Sequence, residues 1–185
     1  MENKLTTEKV VDVKDLHISF RTFKGYPHVL NGVNVHVNKK ERISIVGETG
    51  CGKTTTVNAI AQILARQARI DKGEIYFKGK DVLTMPQKEL KRLRAENVSI
   101  IFQDPIASLN PVFTIGQQLK EVIRYSGIEG AGDKKVQEEK AISALKETSL
   151  PDPERIMDSY PFQLSGGMRQ RICIAMSLAT PRDLV

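Results

Sequence analysis

The stretch SIVGETGCGKTTTV, residues 44–57, decides the fold class of this 185-residue chain. Four of its residues satisfy the phosphate-loop (Walker A) pattern GxxxxGK[ST] over positions 47–54, namely Gly47, Gly52, Lys53 and Thr54. The apolar segment before the glycines is predicted to be a strand, and the residues after them have helical spacing. Such a turn lets backbone N–H groups surround a phosphate. The stretch therefore predicts an α/β nucleotide-binding fold.

The residues of this loop have separate expected roles. Lys53 is predicted to place its charge on the β and γ phosphates, and the Thr54 hydroxyl is predicted to ligate Mg²⁺, which needs only one or two protein oxygens. Cys51 is either a small residue that fills loop space or a reactive thiol at a helix N-terminus. The predicted nucleotide-binding set is Gly47, Glu48, Thr49, Gly50, Cys51, Gly52, Lys53, Thr54 and Thr55.

Composition and charge narrow the setting. Apolar residues make up 40% of the chain and charged residues 27%, which is ordinary for a globular protein. The formal net charge of +6 fits phosphate ligands, nucleic acid or an anionic membrane surface, and it does not choose among them. No apolar run is long enough to cross a bilayer. The two cysteines, Cys51 and Cys173, have no metal-type or CxxC spacing, so we expect a cytoplasmic setting.

Apolar periodicity predicts the elements around the loop. Alternation at period two predicts strands over residues 10–20 and 33–37, and the segment 42–46 is predicted to be the strand that enters the loop. A helix is predicted after the loop, with an apolar face of Val57, Ile60, Ala61 and Leu64. Glycines and aromatic residues predict a hairpin strand over residues 72–82.

The second half of the chain is predicted to be mainly helical. A charged helix over residues 87–96 precedes a short buried strand over residues 97–102. Further helices are predicted from the apolar face Ile115, Leu119, Val122 and Ile123, and over residues 133–148. The last helix has apolar residues on both sides, so we expect it to be buried all round.

Two further motifs specify the kind of nucleotide-binding protein. The octet LSGGMRQR, residues 164–171, closely resembles the LSGGQ-type signature of ATP-binding cassette (ABC) ATPases. The run IIFQDP, residues 100–105, resembles their Q-loop, with Gln103 as the glutamine. The order of phosphate loop, Q-loop and signature also agrees with that family, and the resemblance covers essentially the whole chain. Independently of it, a serine and two glycines before a helix can direct a hydroxyl and N–H groups at an anion.

The resemblance implies cofactors and further site residues. ATP and Mg²⁺ are the implied cofactors, and Lys53 and Gln103 are the implied catalytic residues, with Gln103 contacting Mg²⁺ or the attacking water. The signature residues Ser165, Gly166, Gly167 and Met168 are implied to serve the nucleotide of a second ATP-binding subunit, in a homodimer or heterodimer. In the family an early aromatic ring stacks on adenine. Phe23 is the first choice for this role by its distance from the loop, and Phe20 and Tyr26 are alternatives.

The run QDPIASLNPVFTIGQQL, residues 103–119, is similar to that of importers of dipeptides, oligopeptides, nickel and glutathione, and Met168 is typical of the same group. The resemblance therefore implies an ATPase subunit that energises an importer of di-/oligopeptides. The implied partners are transmembrane permease subunits and, indirectly, an extracytoplasmic solute-binding protein, whereas no nucleic acid is expected. The implied location is peripheral, on the cytoplasmic face of the membrane. The sequence does not choose the solute.

The family pattern continues past the signature helix with a strand that ends in Asp-Glu and with a switch histidine. In these 185 residues Asp183 lies before that strand, and the histidines, His17, His28 and His36, all precede the phosphate loop. Neither the Walker B glutamate nor the switch histidine is therefore matched. Loss of a general base typically slows chemistry by about 10²–10⁴-fold. We expect an N-terminal part of a longer protein that by itself binds nucleotide weakly without turnover.

The expected organisation has three parts. Residues 1–103 are expected to form an antiparallel β subdomain with the phosphate-loop core. Residues 104–170 are expected to form a helical subdomain that ends in the signature. Residues 171–185 are expected to form the signature helix and the start of the next (Walker B) strand. Two alternative functions stay open: a soluble ABC-type ATPase of DNA repair or translation, and a non-catalytic nucleotide-binding half. The modest insertion between Gln103 and Ser165 argues against repair proteins, which carry coiled coils or zinc modules there.

Overall fold

The structure, a computed structural model, describes residues 8–185, so the first seven residues of the predicted β subdomain lie outside it. The described chain divides into two compact units, residues 8–90 and residues 91–185. Among the described residues, none of the helices combines the length and the apolar content needed to span a bilayer.

The first unit contains a four-stranded antiparallel sheet. Its strands are β1 (Lys9–Phe20), β2 (His28–Asn38), β3 (Ala68–Phe77) and β4 (Lys80–Asp81), in the order β2-β1-β3-β4. All three pairings are antiparallel, which confirms the predicted antiparallel β subdomain. The predicted hairpin strand forms β3 and β4.

A β-bulge in β1 changes which residues of the strand are buried. Val13 and Leu16 lie three positions apart in the sequence, yet both are buried. The reason is that the neighbouring strand β2 advances by only two positions over the same interval, from Val35 to Val33. The extra residue, Asp15, has a φ of 46°, and its N–H donates to the side-chain oxygen of Asn34 at 2.9 Å. Gly73 on β3 leaves room for it, since a methyl group there would lie 2.6 Å from the Asp15 carbonyl oxygen. The bulge thus joins two stretches of alternating burial.

The Asp15 carboxylate is held by the strand beside it. Lys72 approaches one carboxylate oxygen at 2.6 Å, and the His17 ring lies 2.9 Å from the other. These hydrogen bonds, that of Lys72 before that of His17, lower the pKa of Asp15. The carboxylate therefore stays ionised and fixes the bulge from the side of β3.

The segment that enters the phosphate loop differs from the prediction. Residues 42–46 form no strand, and Ile43, Ile45 and Val46 are exposed, Val46 by 91%. A strand needs a neighbour to pair with its backbone, and no strand of residues 8–185 pairs with this segment.

The helix after the loop, α1 (Lys53–Ile60), is shorter than predicted. It buries Thr56, Ala59 and Ile60, whereas Val57 is 41% exposed. The chain then turns at Gln62, whose φ is 54°. Of the predicted apolar face, Ile60 and Ala61 are buried and Leu64 is half-buried beyond the helix, so the prediction is wrong for Val57 and for the length of the helix.

The remaining helices follow in chain order. The charged helix falls where it was predicted. The elements are α2 (Gln87–Glu96), α3 (Pro105–Ser108), α4 (Ile115–Arg124), α5 (Lys134–Glu147), α6 (Pro153–Asp158), a 3-10 turn (Pro161–Gln163) and α7 (Gly166–Leu178).

Helices α4, α5, α6 and α7 share one apolar core. Side chains at helical spacing fill it, and the start of α4 is fixed by a capping box between Thr114 and Gln117. Fully buried members are Ile115, Leu119, Ile123, Leu145, Ile156 and Ile172. The last helix is not buried all round, because Leu178 is 50% exposed.

Of the strand predicted over residues 97–102, the structure forms one isolated bridge. Val98 forms an isolated parallel bridge with Leu184, and the N–H of Ser99 donates to the Leu184 carbonyl at 2.9 Å. Beyond this bridge Ile101 and Phe102 are about half exposed, so the prediction of a buried strand is wrong there. Leu184 does begin a strand-like pairing, as the sequence predicted.

Candidate nucleotide-binding site

The start of α1 lacks the side-chain cap that most helices use. Its N-cap is Gly52, with a φ of 93°, and no acidic residue lies in the first turn. The first N–H that bonds back within the helix is that of Thr56, which donates to the Gly52 carbonyl at 2.9 Å. The preceding N–H groups of the first turn have no intrahelical acceptor. This end of the helix therefore carries partial positive charge and N–H donors suited to an anion.

Lys53 adds a full positive charge to the same place. Its ammonium donates to the carbonyl of Gly47 at 2.8 Å and to that of Glu48 at 2.6 Å, and it lies 3.5 Å from the sulfur of Cys51. The side chain therefore folds back along the loop. Because these acceptors are uncharged carbonyls, the lysine keeps its net charge for a ligand.

Packing explains two of the glycines. A methyl group on Gly47 would lie 2.7 Å from the sulfur of Cys51, and one on Gly52 would lie 2.4 Å from a methyl carbon of Leu30. Gly52 is also left-handed, a conformation that disfavours any other residue. Cys51 is exposed and sits against Gly47, which leaves both the loop-filling and the reactive-thiol interpretations of Cys51 open.

Thr54 and Thr55 complete the first turn of α1. Thr54 is exposed, and its hydroxyl makes no hydrogen bond within residues 8–185, so it is available as an oxygen ligand. No group of three His, Cys, Asp or Glu side chains in the described residues could hold a metal. Mg²⁺ on a nucleotide takes most of its ligands from phosphate and water, so a single hydroxyl at this position fits the predicted ion.

The aromatic candidates for adenine lie in and beside a tight hairpin. Thr22 and Gly25 close it, with the Thr22 N–H donating to the Gly25 carbonyl at 2.8 Å and the Thr22 hydroxyl donating to the same oxygen at 3.0 Å. Phe23 at its tip is fully exposed, Tyr26 is 56% exposed, and Phe20 is half-buried in β1. Phe23 is therefore the most accessible ring of the three, and its contact with adenine stays a prediction.

The signature residues form a different kind of helix start. Ser165 caps α7, with its side chain accepting from the Met168 N–H at 3.3 Å. Gly166 and Gly167 are exposed, and a methyl group on either would meet no atom within 4 Å. Met168 is half-buried against the helical core. The unit's own packing therefore does not require the two glycines.

Gln103 lies in an exposed bend just before α3, in the second unit. The phosphate loop lies in the first unit, and the signature lies with Gln103 in the second. The structure thus brings the loop residues together with one another and the signature residues together with one another. Sequence reasoning did not single out Leu30 and Thr56, which touch Gly52 from β2 and from α1. The predicted strand over residues 33–37 began after Leu30, so no sequence pattern marked this residue.

Comparison with known proteins agrees with these features. The profile of the family described as "ABC transporter" matches residues 30–185. The chain is 41% identical over 180 residues to the dipeptide transport ATP-binding protein DppD of Bacillus subtilis, covering 96% of this chain and 52% of that protein. It is 39% identical over 179 residues to the oligopeptide transport ATP-binding protein OppD of the same organism, covering 96% and 49%. The chain thus spans about half the length of these relatives.

Solved structures agree on the fold. The dimeric post-hydrolysis ATP-binding cassette MJ0796, bound to ADP and Pi, superposes with a TM-score of 0.79 at 27% identity, covering 91% of this chain and 69% of that one. This likeness confirms the predicted fold class, as a partial nucleotide-binding domain. With the phosphate loop and the signature helix both formed, and the family profile matching most of its length, the chain belongs to the ABC transporter family as an ATP-binding domain similar to those of peptide importers.

Proposed function

We propose that the chain binds MgATP through the phosphate loop and serves an ATPase subunit that energises import of dipeptides or oligopeptides. The observation that carries ATP binding is the uncapped start of α1 with the Lys53 ammonium folded over it. Together they place N–H donors and a positive charge where a polyphosphate needs them. Peptide import is supported by the identity to transport proteins of that function over nearly the whole chain.

The chemistry divides between protein and cofactor. Bound Mg²⁺ would neutralise phosphate charge, and Thr54 would hold it through the hydroxyl. Lys53 would bind the β and γ phosphates, and Gln103 would contact the metal or the attacking water. The acidic residues that the family uses for hydrolysis are not matched among these 185 residues, so we attribute nucleotide binding rather than turnover to this stretch.

The proposed assembly follows the family. A second ATP-binding subunit would receive Ser165, Gly166 and Gly167 against its nucleotide, and permease subunits would hold the pair at the cytoplasmic face of the membrane. The open space around Gly166 and Gly167 supports this assignment, because a ligand could approach the backbone there. Which solute is carried would depend on the permease and the solute-binding protein.

Isothermal titration with MgATP tests the proposal. Lys53→Ala is expected to weaken MgATP binding by about 10- to 100-fold, since a charge-assisted hydrogen bond contributes about 1.5–3 kcal/mol. Lys134→Ala, an exposed lysine on α5, is the matched control and is expected to leave binding unchanged. Equal binding by both variants would refute the phosphate-loop assignment. Copurification with an integral membrane subunit tests the import role, and stable retention on DNA or ribosomes instead would contradict it.

A further inference from the structure

The hairpin that carries Phe23 is tied to the sheet on both sides. The N–H of Phe20 donates to the Pro27 carbonyl at 3.1 Å, and the N–H of Arg21 donates to the Gln67 carbonyl at 2.8 Å. Three further hydrogen bonds join Thr22 and Gly25 across the hairpin. Together these bonds leave the loop little freedom to move relative to β1 and β2. An exposed aromatic ring on such a loop is a preformed stacking surface.

Leu30 lies where β2 meets the phosphate loop. It is only 2% exposed, and a methyl group on Gly52 would approach its side chain to 2.4 Å and the Val29 carbonyl oxygen to 3.2 Å. The backbone of Gly52 therefore rests directly on β2. Leu30 is the side chain on which it rests.

Both ends of this contact are fixed. Leu30 is paired across the sheet with Ile18, which pairs in turn with Ile70 on β3. On the other side, the N–H and the hydroxyl of Thr56 both donate to the Gly52 carbonyl, at 2.9 and 3.1 Å. A movement of β2 is thus transmitted to the phosphate loop where Gly52 packs against Leu30 and the Val29 carbonyl.

We infer that Leu30 is a positioning residue that keeps the aromatic hairpin and the phosphate loop at a fixed spacing, so that both can contact one nucleotide. The inference rests on the proposed binding of ATP, and it adds a residue that touches neither the base nor the phosphates. Leu30 fixes β2, β2 carries the hairpin, and Gly52 carries the loop. A nucleotide gains from stacking and from phosphate binding together only while this spacing holds, because the second contact is made within one complex.

A double-mutant cycle on the intact protein measures the coupling. Leu30→Val removes the side-chain carbons that reach Gly52 and keeps a residue that favours strands. Leu30→Met restores the reach. Leu16→Val is the matched control, since Leu16 is fully buried in β1 and pairs with Val33. MgATP and tripolyphosphate, which has no base to stack, are titrated with each variant in the presence and absence of Phe23→Ala.

The expected results separate positioning from folding. Phe23→Ala is expected to weaken MgATP binding about 10-fold in the native background, and less than about 3-fold with Leu30→Val. Leu30→Met and Leu16→Val are expected to keep the full factor. Tripolyphosphate binding is expected to be insensitive to Phe23→Ala throughout.

Two results would overturn the inference. One is a Phe23→Ala factor that is unchanged by Leu30→Val, which would leave Leu30 an ordinary core residue. The other is no effect of Phe23→Ala in the native background, which would leave nothing to couple. Either result, with Lys53→Ala still weakening MgATP, would remove the coupling and leave the proposed function standing. No effect of Lys53→Ala would remove both.

Discussion

The two glycine-rich helix starts of this chain, at α1 and at α7, solve the same problem in different ways. Both must satisfy N–H groups that a helix leaves unpaired at its start. In α7 the hydroxyl oxygen of Ser165 accepts from the Met168 N–H. In α1 the N-cap is a left-handed Gly52 with no side-chain cap. The second helix therefore satisfies one N–H of its first turn with its own side chain, whereas the first satisfies none in this way.

The glycines of the two starts differ in what holds them. Gly52 is packed against Leu30 and is locked in its conformation, whereas Gly166 and Gly167 have open space around them. Gly52 is therefore held by the packing of its own unit, whereas the packing around Gly166 and Gly167 does not require glycine and leaves room for the partner contact that we propose. Substitutions at the two starts should therefore affect different properties of the protein.

The largest expected difference is between Gly52→Ala and Gly166→Ala. A left-handed alanine costs about 1–2 kcal/mol, and overpacking against Leu30 adds about 1–3 kcal/mol, so Gly52→Ala should lower the free energy of unfolding by about 2–5 kcal/mol. Gly166→Ala should change it by less than about 1 kcal/mol, because alanine favours the helix. Urea unfolding followed by circular dichroism measures both.

Gly79→Ala is the control that separates strain from packing. Gly79 has a φ of 77° and no atom within 4 Å of an added methyl group, so its substitution should cost only the conformational part, about 1–2 kcal/mol. If Gly52→Ala were no more destabilising than Gly79→Ala, the contact with Leu30 would not be tight. If Gly166→Ala matched Gly52→Ala, the contrast between the two starts would be lost.

A smaller effect is expected for Ser165→Ala. Removing this cap should lower the free energy of unfolding by about 1 kcal/mol, and Ser165→Gly should cost only a few tenths of that unit. Ser143→Ala, at an exposed position within α5, is a control without a capping role. A Ser165→Ala variant as stable as this control would show that the α7 start relies on something other than its serine.

The smallest expected effect concerns the two cysteines, one beside the start of α1 and one within α7. Cys51 is exposed in the phosphate loop and Cys173 is buried within α7, where burial raises the pKa of its thiol. Maleimide at neutral pH should therefore label Cys51 first, with Cys173 as the slow internal reference. Saturating MgATP should slow the labelling of Cys51 a few-fold and leave Cys173 unchanged, as read by peptide mass spectrometry. Unaltered labelling of Cys51 would place the nucleotide away from the loop.

Local patterns predicted those elements whose partners lie among the described residues. Alternation predicted β1 and β2, glycines and aromatic residues predicted the β3–β4 hairpin, and helical spacing predicted α4 and α5, because each packs against neighbours within its own unit. The segments 42–46 and 97–102 look equally strand-like, yet they lack pairing strands in the described residues. An apolar pattern indicates that a segment is suited to burial, whereas burial itself depends on residues elsewhere in the chain.

The candidate site shows the same division. The loop pattern named its glycines and Lys53 from spacing alone, since their chemistry is local. Leu30 and Thr56 were not named, because only the fold brings β2 under Gly52 and turns a threonine of α1 back to its carbonyl. Val57 was wrongly placed in the core for a related reason, because it matched the helical spacing of Ile60 and Ala61, whereas the fold buries Thr56 beside them.

The bulge at Asp15 also sets how β1 can tolerate change in its length. Before Asp15 the odd-numbered Val11 and Val13 point into the core, and after it the even-numbered Leu16 and Ile18 do. Deleting this one polar residue would leave Val11, Val13, Leu16 and Ile18 in one continuous alternation, which a regular strand can bury on a single face without a bulge. For β1, the bulge therefore allows one polar residue to be inserted without reversing the faces of the strand on either side of it.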